Sequence, residues 1–243
     1  MAGPARFSND ALLLIAHGSA RYPDAGRTAL LHAGTIRAQG PFAAVAVGFL
    51  QGSPSPAEAL GRLGPRTVHV VPFFMEDGYF TRVAVPASLA GAGGADIRLY
   101  PPVGVQDGMA ALIEARIAAA CPDTRAISVI LVGHGSARSP GRPLALHRHA
   151  DRLRGTGRFA GVRVAFLEEA PFVADSLAAT EAASIALIGV FAGEGLHVRD
   201  DWPNLIAAGR ARHGPIIHDL GTIGDDPGLA ALMREQVTGV PTP

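Results

Sequence analysis

At 243 residues, with 48% hydrophobic side chains and 30 glycines, the chain has the make-up of packed α/β lobes and not of a disordered or fibrous protein. Its formal net charge is +0, so nothing favours a nucleic-acid or anionic-membrane partner. All 21 basic residues are arginine, which excludes a P-loop lysine, a Schiff-base lysine and a kinase-type lysine together.

Ala11 to Ala16 is a short continuous apolar run ending at a His-Gly turn, the pattern of a buried parallel strand. Asp24 to Arg37 reads as a helix, Phe42 to Leu50 as a second strand and Pro56 to Leu63 as a short helix. Thr67 to Phe74 is a third strand, Val83 to Leu89 a helix, Ile97 to Tyr100 a fourth strand, and Gly108 to Ala119 a helix. Strands follow near Ile127–Val132, Val162–Leu167, Ile185–Val190 and Pro215–His218, each leading into a helical stretch. Such alternation implies right-handed crossovers and mainly parallel sheets. Cys121, Pro122 and Asp123 mark the expected boundary, giving lobes 1–121 and 122–243, each a four-stranded sheet flanked by helices. The lone Cys121 reads as a small buried hydrophobe in a reducing compartment. Met1 to Asp10 lacks a signal-peptide pattern and no apolar run is long enough for a bilayer, so a soluble cytoplasmic protein is expected.

The two lobes are copies. His17-Gly18-Ser19-Ala20-Arg21 recurs letter for letter as His134-Gly135-Ser136-Ala137-Arg138. The same ungapped spacing relates Phe49-Leu50 to Phe166-Leu167, Pro54 to Pro171, Gly78 to Gly195, Arg82 to Arg199 and Pro86 to Pro203. The copies differ in their polar groups: Gln51 stands opposite Glu168, and Phe80 stands opposite His197. Ligands of open parallel sheets gather beyond the carboxyl ends of the strands. His134, Glu168 and His197, which follow three successive strands, are therefore expected to converge on one rim. Two imidazoles and a carboxylate suit divalent iron, cobalt, nickel or zinc and leave open positions on the ion. The remaining histidines read differently. His17, His69, His147, His149 and His213 suit capping or hydrogen-bonding roles, and the repeat-matched pair His32 and His149 suits packing or the surface.

The apolar strand ending in His-Gly-Ser, the Phe-Leu-Glu strand end and the loop from Gly189 to Pro203 resemble the class II chelatases. The sirohydrochlorin cobalt- and ferrochelatase branch, in a two-lobe form, is the nearest likeness, and it covers roughly the whole chain. His197, Arg199, Asp200, Asp201 and Pro203 fit that family's pattern after the third strand, although Gly189 stands where the first copy keeps Pro72. In long sirohydrochlorin chelatases the intact histidine pair sits in the first half. Here it sits in the second, as in the single-chain protoporphyrin ferrochelatases and the anaerobic cobaltochelatase.

The resemblance implies ATP-independent insertion of a divalent metal, cobalt or iron, into sirohydrochlorin or a related tetrapyrrole, in cobalamin or siroheme biosynthesis. His134, His197 and Glu168 would be the catalytic and metal-holding residues. Ser136, Arg138, Arg199, Phe191 and Phe74 would bind the ring, with apolar walls also from Phe73, Met75 and Phe172. Arg21 and Arg142 would join Arg138 and Arg199 near the rim. The metal, nickel included, is a substrate, and no organic cofactor is implied. The alternative is a tetrapyrrole- or metal-binding protein without turnover. A duplicated chain supplies both halves by itself, so a monomer and a homodimer both fit. Rival classes lack their marks. No arginine precedes either His-Gly as in histidine phosphatases, no Gly-x-Ser-x-Gly elbow is present, and no Gly-x-Gly-x-x-Gly turn follows either opening strand.

Overall fold

A computed structural model of the chain describes residues 7–64, 66–90, 94–136, 144–193, 202–207 and 216–239. In the first unit β1 (Ala11–Gly18) is central. It pairs in parallel with β2 (Ala44–Gln51) and β3 (Thr67–Pro72), and β4 (Asp96–Leu99) pairs with β3, giving the order β2-β1-β3-β4. Ala11 to Ile15 are fully buried, as expected of a strand covered on both faces. The crossovers carry α1 (Arg27–Gln39), α2 (Pro56–Leu63) and α3 (Val85–Leu89), the last entered through a π-helical turn at Phe80–Ala84. Ser55 starts α2 through a reciprocal cap: the Glu58 amide donates to Ser55 Oγ, and the Ser55 amide donates to Glu58 Oε2 at 2.7 Å. Leu13, Ile15, Leu60, Val70, Val85 and Leu89 form one core between sheet and helices.

The second unit repeats the plan with β5 (Ile127–Gly133), β6 (Gly161–Phe166), β7 (Ser184–Gly189) and β8 (Ile216–Thr222), all parallel in the order β6-β5-β7-β8. Its helices include α5 (Leu144–Gly155), α6 (Val173–Ala178) and α7 (202–207). Ile130, Val132, Leu187, Phe191, Trp202 and Ile206 share its core. The fold is thus the expected pair of chelatase-like α/β lobes.

By packing, the chain forms two compact units. One comprises 1–106 with 225–243, the other 107–224. Helix α4 (Gly108–Ala120), placed in the first lobe by the sequence, packs on α5 and β8. Arg158 Nη1 donates to its Glu114 at 2.7 Å, and Arg152 Nη1 donates to the Asp107 carbonyl at 2.8 Å. Helix α8 (Gly228–Thr238) packs on α1 in the first unit, where Gln236 Nε2 donates to the Pro101 carbonyl at 2.7 Å. The physical reason lies in the duplication. Gly108-Met109-Ala110-Ala111-Leu112-Ile113 and Gly228-Leu229-Ala230-Ala231-Leu232-Met233 present nearly the same apolar stripe, so either helix satisfies either lobe.

His32, His69 and His149 are buried. His69 is buried in β3, with Nε2 2.9 Å from Asp10 Oδ2 and Nδ1 2.9 Å from the Tyr100 hydroxyl. His32 and His149 are buried at matching places on α1 and α5. Cys121 is buried as well, and burial pushes its thiol above the usual range, which suppresses the reactive thiolate. Among the described residues no helix is long and apolar enough to cross a membrane.

Candidate functional site

The strand order creates the site. From β5 the chain crosses to β6 on one side, and β7 then pairs on the other side, so a crevice opens between the carboxyl ends of β5 and β7. His134 stands directly after β5. Two backbone bonds continue the parallel ladder past the strand ends: the Leu167 amide donates to the Gly133 carbonyl at 3.2 Å, and the Glu168 amide donates to the His134 carbonyl at 3.0 Å. The following loop is pinned back by the Phe166 amide, which donates to the Pro171 carbonyl at 2.9 Å. Together these bonds carry Glu168 to the side of His134.

His134 Nδ1 lies 3.3 Å from the Gly135 carbonyl and 3.7 Å from Glu168 Oε2, and the two side chains are 48% and 41% exposed. A carbonyl oxygen only accepts, so in the neutral ring Nδ1 carries the hydrogen and Nε2 carries the lone pair. That tautomer offers Nε2 to a metal ion. A carboxylate on the Nδ1 side also raises the basicity of such a ligand. His197, Arg138 and Arg199 lie outside the described residues, as does Arg142. Among the described residues no group of three metal-binding side chains occurs, and His134 with Glu168 is a pair.

The turn after β5 depends on glycine. Gly135 has φ +74°, and a Cβ there would meet Glu169 Cγ at 2.8 Å and Phe166 Cβ at 2.9 Å. Gly135→Ala therefore combines a left-handed backbone, costing ~1–2 kcal/mol for a residue with a side chain, with a clash against the loop that carries Glu168. The expected outcome is a lower Tm in thermal unfolding and a displaced His134 resonance in NMR.

The first unit shows what the duplicated geometry does when its polar groups are replaced. His17 Nδ1 donates to the Gly18 carbonyl at 2.9 Å, the same device as in the second unit. Gly18 pairs with Gln51, where the second unit has Glu168. The Phe80 ring meets His17 edge-on, with centroids 4.8 Å apart. In the first copy, then, the residue at position 80 lies against the strand-end histidine. In the first copy Ser19 Oγ accepts from the Arg21 and Tyr22 amides at 3.2 and 3.1 Å, a turn-forming use of the residue equivalent to Ser136. Ser136 itself is half-buried.

Several expected wall residues face elsewhere. Phe191 is 6% exposed and packs edge-on against Trp202, whose Nε1 donates to Asp219 Oδ1 at 2.9 Å. Gly189 permits this: a Cβ at that position would lie 2.6 Å from the Phe191 ring. The change from the proline at Pro72 thus makes room for an inward-turned aromatic ring. Phe73 and Met75 are likewise buried. Phe74 is half-buried and stacks on Phe80, and Phe172 is exposed. The sequence reading missed a cleft of about 480 Å³ beside Glu168, lined by Phe166, Leu167, Phe172, Val173, Asn204 and Leu205. Its signal was the apolar spacing on either side of the strand end, but Asn204 and Leu205 come from a helix far along the chain.

Residues 11–120 and 128–240 each match the family model described as CbiX. A Halobacterium salinarum protein named "Probable sirohydrochlorin cobaltochelatase" is 30% identical over 219 residues, covering 79% of this chain and 75% of that protein. Among solved structures, DR2241 from Deinococcus radiodurans is described as a multi-domain protein with structural similarity to chelatases. It has a TM-score of 0.84 at 26% identity and is covered by 95% of this chain, which spans 55% of that longer protein. The structure of CbiX, described as the terminal enzyme for biosynthesis of siroheme in denitrifying bacteria, gives a TM-score of 0.71 at 27% identity, over 96% of this chain and 100% of that one.

Proposed function

We propose, since the chain belongs to the CbiX family and is a metal chelatase, that it inserts cobalt or iron into sirohydrochlorin or a closely related tetrapyrrole without ATP. The observation that carries this is the pairing of His134, whose Nδ1 faces the Gly135 carbonyl, with Glu168 at the carboxyl ends of β5 and β6. Insertion must remove water from the ion and two protons from the ring nitrogens. His134 Nε2 and His197 hold the ion as it sheds water, and both neutral imidazoles exchange ligands readily. Glu168 offsets the charge of the arriving dication and accepts one of the two ring protons, and one imidazole, freed as the ion passes to the ring, takes the other. The cleft beside Glu168 supplies apolar contact for the macrocycle, and Arg138 and Arg199 pair with its carboxylates. The absence of any lysine from the sequence supports a reaction with no nucleotide step. We place the reaction in the cytoplasm and assign the working state to a monomer, because the duplicated chain already contains both lobes.

The test is an absorbance assay of cobalt(II) or iron(II) insertion into sirohydrochlorin, comparing the protein with His197→Ala. Insertion well above the uncatalysed rate, lost in the variant, is the expected result. Ring binding with no acceleration by either protein would instead establish a tetrapyrrole-binding module.

A further inference from the structure

We propose that the first unit is a holding site for the metallated ring, with His17 as axial ligand to a metal already inside a tetrapyrrole. The ring class rests on the function proposed above; the coordination argument rests on the first unit alone.

The two replacements in this unit remove what a free dication needs. Gln51 brings no negative charge where Glu168 stands in the other copy, and Phe80 brings no second imidazole. At this strand end a hydrated ion would meet one imidazole and the neutral Gln51 amide in place of a carboxylate. A metal inside a tetrapyrrole is different, because four ring nitrogens already hold it and the deprotonated ring neutralises it. Such a metal lacks only an axial donor, and a neutral imidazole supplies one. His17 is exposed, and its Nδ1–H is committed to the Gly18 carbonyl at 2.9 Å, which leaves the Nε2 lone pair as the donor.

The replacement at position 80 also builds an aromatic surface around that donor. Phe80 meets His17 edge-on at 4.8 Å, stacks on Phe74 at 6.0 Å with an interplanar angle of 16°, and takes the Tyr79 ring edge-on at 5.7 Å. Tyr79 is 69% exposed and Phe80 42%. Clustered exposed apolar groups beside a metal-ready imidazole match a flat aromatic ligand. Arg21, exposed on the same His-Gly-Ser turn, is available to a ring carboxylate, whereas Arg82 is paired with Asp77 at 2.9 Å. The coordinate bond exists only once the metal is in the ring, so the site discriminates product from substrate.

The test titrates the full-length protein anaerobically with ready-made cobalt(II) sirohydrochlorin and, separately, with the metal-free ring. The metallated ring is expected to bind about tenfold more tightly. Its electron paramagnetic resonance spectrum should show superhyperfine splitting from one axial nitrogen. His17→Ala should abolish the splitting and the discrimination, His17→Gln should do the same with a near-isosteric polar side chain, and His134→Ala should keep both. Phe80→Ala should weaken both forms of the ring alike. Equal affinity for the two forms, splitting that survives His17→Ala, or splitting lost in His134→Ala would overturn the proposal. Because no turnover is involved, a failed insertion assay with the His17 signature intact would sink the chelatase mechanism and leave the holding site standing.

Discussion

His134→Ala is expected to slow cobalt(II) insertion into sirohydrochlorin by on the order of 10²-fold, the range of a positioned group acting directly on the reacting atoms. The ring nitrogen that carries the lone pair disappears, and with it the donor that replaces water on the incoming ion. Binding of the metal-free ring should change little, because His134 is an exposed group at a strand end and not part of the core. Initial rates measured together with a ring-binding titration separate the two effects. A variant that inserts metal at the wild-type rate would remove His134 from the mechanism. Stability should be almost unaffected, since an exposed side chain outside the packed interior contributes little to folding.

Glu168→Gln is expected to lower the insertion rate by about tenfold or more at neutral pH, below the loss for His134→Ala. The substitution installs the residue the first copy already carries at the paired position, so the fold is known to accept it. An amide has the shape of the carboxylate but neither its charge nor its basicity. Initial rates of the two proteins, measured beside a ring-binding titration, check this: a variant that inserts metal at the wild-type rate would remove Glu168 from the mechanism.

The parts of the fold that were readable came from local patterns. Ala11 to Ile15 could be recognised as a two-face-covered strand because a continuous apolar run before a His-Gly turn admits few other placements. The closeness of His134 and Glu168 followed from a rule of parallel sheets: neighbouring strands end on the same rim. The inward turn of Phe191 was not readable. It depends on the space left by Gly189 and on the indole of Trp202, which comes from a separate helix and ties to Asp219 on β8. An aromatic residue at a strand end looks the same in sequence whether it lines a cleft or fills a core.

The amino-acid order alone determined two copies of one α/β plan, the strand ends that carry their polar groups, and the loss of charge at Gln51 and of imidazole at Phe80. These are properties of periodicity and repetition, and neighbouring residues decide them. Tertiary structure decided which helix completes which lobe and which aromatic rings reach solvent. The reason is that near-identical apolar stripes on α4 and α8 carry no address, and a ring's orientation is set by atoms from several elements at once. Only packing in three dimensions brings those atoms together.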